Sequence, residues 1–354
     1  MTRETHGSSP RGEVKVDLRS DTFTRPTPAM RRAMAEAEVG DDVWGEDPTV
    51  QRLEAAVAER LGHQAALFVP SGTMGNQICL RLAAPAGTEC LANEDNHIFW
   101  YESGAAPLLS GIQLHAVPGQ RGVLDPAAAR RRVRAATYGV PTTAIAVEQT
   151  HNRAGGAVLP MEVLQELRRL ADDAGLRLHC DGARIWNASV ATGIPLDRYG
   201  RLFDSLSVCF SKGLAAPVGS AVVGDRDLVA RARQVRALLG GGMRQAGVLA
   251  AAALVALEQM VERLAEDHAN ARRTAETVAA AVPGSVDPAA VDTNMVLLQA
   301  APFGTDAPGL VKRLADHGVR AADVDPDQVR LVFHYEVTGS DADRAASAIV
   351  AAAG

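Results

Sequence analysis

The stretch that decides the fold reads T-A-I-A-V-E (143–148), then M-E-V-L-Q-E-L-R-R-L-A-D-D-A (161–174), then L-R-L-H-C-D (176–181). A short apolar run, a segment with helical periodicity and a second apolar run form a β-α-β unit, whose strands lie parallel in one sheet. The rhythm extends outward. Buried strands are predicted at A-A-L-F-V-P (65–70), E-C-L-A-N (89–93), I-Q-L-H-A-V (112–117) and S-L-S-V-C-F (205–210), with helices over Met74–Leu82 and Asp125–Arg134. Upstream, helices are predicted over Pro28–Ala37 and Pro48–Leu61, the second with Asp47 as N-cap and Pro48 at its first position. Downstream, the Ala-rich segment Gln245–Ala281 predicts one long helix or two. It leads to strands at 293–299 and 329–335 and helices over Gly309–His317 and Ser340–Ala352. The expected fold class is α/β, with a polar tail (1–15), a large domain with a mostly parallel sheet (16–265) and a smaller α+β C-terminal domain (266–354).

Composition restricts the chemistry. Of 36 basic residues among 354, only Lys15, Lys212 and Lys312 are lysines; the others are arginines. Arginine grips planar carboxylates and phosphates, whereas only lysine can form a Schiff base, so such chemistry has three candidates. A net charge of −6, with no basic cluster longer than Arg130–Arg132, argues against a nucleic-acid partner. The longest apolar run, Ala246–Leu257, is short of the ~18 residues that suggest a membrane span. The polar start M-T-R-E-T-H-G-S-S-P-R-G-E has no apolar signal core. Cys79, Cys90, Cys180 and Cys209 show no C-x-x-C spacing, so reduced thiols in a cytoplasmic protein are expected, and no metal site. The P-loop, G-x-G-x-x-G, H-E-x-x-H and G-x-S-x-G patterns are absent from the sequence, which lowers the case for P-loop NTPases, ordinary Rossmann dehydrogenases, zincins and α/β-hydrolases.

Three pieces remain. P-S-G-T-M-G-N (70–76) joins a strand to a helix through small residues, where backbone N–H groups and the helix N-terminus can cradle a phosphate; alone it also fits an ordinary turn. L-H-C-D-G-A-R (178–184) sets Asp181 and Arg184 past the carboxyl end of a buried strand, where open α/β sheets bind ligands; alone it also fits a capping aspartate and a surface arginine. C-F-S-K-G-L-A-A-P-V-G-S (209–220) makes Lys212 the one lysine in an apolar setting punctuated by glycine and proline. Together they supply a Schiff-base amine, an anion for a pyridinium nitrogen and a phosphate anchor, which are the needs of pyridoxal 5′-phosphate (PLP).

With D-L-R-S-D-T (17–22), G-D-D-V-W-G-E-D-P-T (40–49), E-Q-T-H-N-R-A-G-G-A-V-L-P (148–160), H-C-D-G-A-R (179–184), S-K-G-L-A-A-P-V-G-S (211–220), G-G-G-M-R-Q (240–245) and D-T-N-M (292–295) in order, the chain resembles the low-specificity L-threonine aldolases. These are PLP enzymes of fold type I, the aspartate-aminotransferase fold. The resemblance implies cleavage of L-threonine, L-allo-threonine and related β-hydroxy-α-amino acids to glycine and an aldehyde, which is acetaldehyde from threonine. It implies that Lys212 carries the cofactor, Asp181 keeps the ring nitrogen protonated, and Gly72 and Thr73 bind the phosphate. Arg244 would reach the phosphate of a neighbouring subunit, and His97 would stack on the ring. Ser20, Arg184 and Arg330 would clamp the substrate carboxylate, and His151 would lie near the substrate hydroxyl as base or as the holder of a basic water. A homotetramer, a dimer of dimers with active sites at subunit interfaces, is implied as well. His63, His115, His179, His268, His317 and His334 are expected to be structural. The chain departs from the family pattern at Trp44, where tyrosine is usual, at Ala215, where glycine or serine is more common, and at Ser103, where glycine or alanine stands; these changes bear on substrate range. The alternative on the same scaffold is β-elimination or transamination of an amino acid, and a non-catalytic binding protein is the rival from another class.

Overall fold

The structure, a computed structural model, describes residues 15–137 and 139–353. They divide into two compact units, one of residues 24–265, the other of residues up to 23 together with 266 onward.

The larger unit is built on seven strands: β1 (Ala65–Val69), β2 (Glu89–Asn93), β3 (Gln113–Val117), β4 (Thr142–Glu148), β5 (Arg177–Gly182), β6 (Ser205–Cys209) and β7 (Ser220–Gly224). Their order is β1-β7-β6-β5-β4-β2-β3. Neighbours from β6 across to β3 run parallel, and β7 runs antiparallel to both β1 and β6. The apolar alternation of the sequence thus marks six of these strands, and β7 is the addition. Its five residues, S-A-V-V-G, follow β6 without a crossover helix, and a direct return of the chain must be antiparallel. Register places Glu148 of β4 beside Asp181 of β5, and Asp181 beside Ser207 of β6, so polar side chains gather at the carboxyl ends of central strands.

Helices cover the sheet where periodicity places them. Pro48–Arg60 starts at Asp47, whose carboxylate accepts the N–H groups of Thr49 and Val50. Met161–Ala174 buries Leu164, Leu167 and Leu170 on one stripe and ends on left-handed Gly175. The Ala-rich segment forms two helices, Gly247–Gln259 and Leu264–Ala281. All four cysteines are free and buried.

In the smaller unit, strands Ala322–Asp325, Gln328–Val332 and Met295–Gln299 form an antiparallel sheet in that order. Helices Ala307–Asp316 and Gly339–Ala351 belong to the same unit. Its core includes Leu18, Phe303, Leu310, Leu331 and Phe333. Residues 16–23, expected with the large domain, cluster here because Val16–Asp17 pairs parallel with Val319–Arg320 and Val332 N–H donates to the Leu18 carbonyl. Of the expected tail, residues 1–14 lie outside the described residues.

Two departures from the family pattern have a backbone meaning. Ser103 and Ala215 both adopt left-handed conformations, with φ of 54° and 64°. An L side chain pays roughly 1–2 kcal/mol there and glycine does not, which accounts for glycine as an alternative at these positions. Ser103 is exposed, so a substitution leaves no cavity. Ser103→Gly is expected to stabilise the fold by up to about 1 kcal/mol, read as a higher urea midpoint at unchanged slope. An unchanged or lower midpoint would show that the turn stores no such strain.

Candidate active site

The site grows from the junction of β1 and the helix Gly72–Ala83. Ser71 caps that helix, its Oγ accepting Met74 N–H at 3.2 Å. Intrahelical bonding begins with Gly75 N–H on the Ser71 carbonyl, which leaves the N–H groups of Gly72 and Thr73 ahead of the helical ladder. The glycines are needed for the seating. A Cβ on Gly72 would lie 2.7 Å from Cys209 Sγ, and one on Gly75 2.3 Å from Ser207 Oγ. The helix N-terminus therefore rests directly on the carboxyl end of β6, where its dipole favours an anion.

One turn on, the same helix carries Asn76, and Asn76 holds Asp181. Its Nδ2 donates to Asp181 Oδ2 at 2.7 Å and to Glu102 Oε1 at 2.7 Å. The amide cannot be turned round, because its oxygen would then face two carboxylates; Oδ1 instead lies 3.3 Å from His179 Nε2. Burial pushes His179 down to about 4, so it is neutral; its Nδ1 lies 3.0 Å from Ser205 Oγ and 3.2 Å from the Ser205 carbonyl. Asp181 is almost fully buried and takes a further bond from Ala183 N–H at 3.0 Å. Burial alone would raise its pKa, but the charges of His97 and Lys212 and the bonds from Asn76 and Ala183 outweigh it, holding the carboxyl below its usual range.

His97 follows β2. Asn96 caps its short helix, and Glu148 Oε2 accepts His97 N–H at 2.7 Å. The ring is anchored by Nδ1, 3.1 Å from Glu102 Oε1. Burial opposes its charge, yet the bond to Glu102 and the charges of Asp181 and Glu148 raise its pKa, against a smaller contrary push from Lys212. Ligand atoms of His97, Glu102 and Asp181 all lie within 4.8 Å of one another, a spacing that could also hold a metal ion. Lys212 follows β6, and its carbonyl accepts Thr24 Oγ1 at 3.1 Å and Ala215 N–H at 2.8 Å, which ties down the backbone that aims the side chain.

The other expected residues stand as follows. His151 is fully enclosed; Ala154 N–H donates to its Nδ1 at 3.3 Å, and Nε2 lies 3.8 Å from Glu148 Oε2. Its ring packs so closely on Gly122 that a Cβ there would come within 2.1 Å. Arg184 is buried just before the helix Ile185–Thr192. Arg244 is exposed, with Nη1 3.2 Å from Asp41 Oδ2. Ser20 and Arg330 belong to the smaller unit; Ser20 Oγ accepts Thr22 N–H at 3.2 Å, and Arg330 lies on Gln328–Val332 opposite Leu297. Trp44, at 77% exposure, stands out from the surface. Sequence reasoning missed Asn76, Glu102 and Glu148. Asn76 closes the phosphate-turn motif, Glu148 opens the motif that carries His151, and Glu102 follows His97 by five residues. A carboxylate or amide inside an apolar stretch is the signal that could have found them.

Removing the Asn76 amide leaves two buried carboxylates each short of a donor. Asn76→Ala is expected to cost about 3 kcal/mol, seen as a lowered urea midpoint. His97 carries a pH signature. Its folded pKa is raised, so its contribution to stability is complete below the unfolded value of about 6.5 and is lost as pH rises through the folded value. The stability difference between the native protein and His97→Asn should therefore shrink on going from pH 6 to pH 9; a constant difference would mean that the ring contributes no charge.

The sequence profile of the beta-eliminating lyase family matches residues 17–301. Low-specificity L-threonine aldolase 1 of Arabidopsis thaliana is 42% identical over 332 residues, covering 92% of this chain and 93% of the plant protein. The low specificity L-threonine aldolase of Escherichia coli K12 is 40% identical over 326 residues, covering 91% and 95%. A threonine aldolase of Leishmania major superposes with a TM-score of 0.79 at 19% identity, over 96% of this chain and 100% of that one, a likeness of fold. With relatives aligned along nearly its whole length and the family profile spanning most of its residues, the chain belongs to the beta-eliminating lyases, among the low-specificity L-threonine aldolases.

Proposed function

We propose that the protein is a PLP-dependent aldehyde-lyase that cleaves L-threonine, L-allo-threonine and related β-hydroxy-α-amino acids to glycine and an aldehyde. The observation that carries this reading is Asp181, a buried carboxylate held ionised within charge range of Lys212, below a helix N-terminus seated on glycines. The residues fit the cofactor. An ionised carboxylate in a buried site asks for a cationic or N–H partner, which a pyridinium nitrogen provides, and the free N–H groups at Gly72 and Thr73 suit a phosphate. Bound there, PLP supplies an electron sink for the pair left on the substrate α-carbon when the bond to the β-carbon breaks.

The chain's own residues do the rest. Lys212 offers the amine that holds the cofactor, and Asp181 keeps its ring nitrogen protonated. Gly72 and Thr73 bind the phosphate by N–H and hydroxyl, and exposed Arg244 is free of the core to reach the phosphate of a neighbouring subunit. His97 would stack on the ring, as the family resemblance implies. Arg184 binds the substrate carboxylate; the same role for Ser20 and Arg330 rests on the family resemblance. His151 handles the hydroxyl proton. It acts as the base itself or as the holder of a basic water, the two roles that the family resemblance implies.

A turnover panel of L-threonine, L-allo-threonine, D-threonine and phenylserine, following aldehyde and glycine, tests the reaction. Aldehyde release from the L-substrates is expected; ammonia plus a keto acid would instead indicate β-elimination or transamination. Lys212→Ala should lose the yellow absorbance of the bound cofactor, and its retention would return the chain to a binding role. His151→Asn should lower kcat while shifting its pH profile, whereas near-normal turnover with an unchanged profile removes His151 from the proton path.

We also propose a homotetramer in the cytoplasm. Exposed Trp44, Leu108 and Leu238 support association, and four free buried cysteines support a reducing compartment. A fully active monomer by light scattering would overturn the tetramer.

A further inference from the structure

We propose that Glu102 is a positioning residue of this site: its carboxylate anchors the His97 ring and, through the shared Asn76 amide, fixes Asp181, so that one buried side chain sets both groups expected to meet the cofactor ring. The inference rests on the proposed PLP site and adds a residue to it.

Glu102 is 2% exposed and lies only five residues after His97, in the N-H-I-F-W-Y-E segment. Both of its oxygens are engaged. Oε1 receives Asn76 Nδ2 at 2.7 Å and faces His97 Nδ1 at 3.1 Å, while Oε2 receives Gln77 Nε2 at 2.5 Å. Successive residues of one helix, Asn76 and Gln77, thus grip a carboxylate that arrives from the loop after β2. The direction of the bonds at the carboxylates follows from chemistry. Asn76 donates to both of them, and because a carboxylate only accepts, His97 must present N–H on Nδ1. With Nδ1 so used, Nε2 is the nitrogen whose protonation state varies. The charged groups acting on His97 are Glu102 beside its ring, Glu148 at its backbone N–H, Asp181 across Asn76, and Lys212, a cation opposing it. Tyr101, with ring centroids 5.2 Å apart, packs against it without charge. Of these anions Glu102 is the one in hydrogen-bond contact with the imidazole, so its removal acts on His97 directly and on Asp181 through one amide.

The test uses Glu102→Gln in the full-length chain, with and without PLP. In the cofactor-free protein, the pH dependence of His97 modification by diethyl pyrocarbonate, read on the His97 peptide by mass spectrometry, reports the neutral imidazole. Loss of the anionic partner should move the midpoint down by roughly one to two pH units, as expected for an opposite charge at this range. PLP affinity, followed by absorbance, should fall at least severalfold, and the pH profile of kcat should shift while KM for L-threonine changes less. Glu102→Asp, which keeps the charge, should recover part of each effect, and it carries the test alone if Glu102→Gln does not fold. An unmoved His97 midpoint with unchanged PLP affinity overturns the proposal. A native protein that binds no PLP and cleaves no threonine sinks the functional reading instead, and the His97 midpoint still reports whether Glu102 holds the ring.

Discussion

The site depends on one buried carboxylate being kept charged. Inside a protein an isolated carboxylate takes up a proton unless donors and cations are arranged around it, because the interior solvates charge poorly. Asp181 is kept ionised by the Asn76 amide, the Ala183 N–H and the charges of His97 and Lys212. Each supporter imposes a further requirement. Asn76 needs its amide oriented, which Glu102 does by accepting from the same nitrogen; His97 needs an acceptor on Nδ1, which Glu102 also is. The carboxylate thus dictates polar residues on four separate segments, and a substitution at any of them is felt at Asp181.

How much of this can be read from the chain follows the range of the forces. Strands and helices obey local periodicity, so six of the seven large-sheet strands and three helices between them are legible in the order of residues alone, whereas the shorter helices Ala105–Ser110, Ile185–Thr192 and Leu196–Gly200 are not. β7 is not, because five small and apolar residues between glycines carry no distinguishing period. The N-terminal strand is misplaced for the opposite reason: its partner, Val319–Arg320, is remote in sequence, and no local pattern declares such a pairing. Among site residues, Lys212 and Asp181 announce themselves by standing alone in apolar surroundings. Asn76, Glu102 and Glu148 act only through partners brought together by the fold. His179 is legible as structural, yet its place behind Asn76 links it to the site.

The family motif G-D-D-V-W-G-E-D-P-T shows how much of a recognisable signature is scaffolding. Asp47 not only caps Pro48–Arg60 but also accepts Gly247 N–H at 2.8 Å, joining the starts of two helices. A Cβ on Gly247 would lie 2.4 Å from that carboxylate, so the helix start must be glycine. Asp42 pairs with buried Arg236 at 2.8 Å, and Arg236 donates to the Phe68 carbonyl of β1 at 2.7 Å. Arg236 is a buried strut. Removing one member of such a pair typically costs 3–5 kcal/mol, because the other is left charged without a partner. The motif holds the Trp44 loop to the sheet, whatever Trp44 itself meets.

Sheet order explains why a set of residues scattered along the sequence can meet. Parallel strands present their carboxyl ends on the same edge, so the end of β5 carries Asp181 there and the loops after β2, β4 and β6 deliver His97 and Glu102, His151 and Lys212. An antiparallel strand presents its first residue there instead. Ser220 opens β7 opposite Cys209, donates to its sulfur at 3.2 Å, and lies near the point where Gly72 begins its helix. β7 thus completes the floor beneath the helix N-terminus, because Ser220 stands beside Cys209, the residue on which Gly72 is seated.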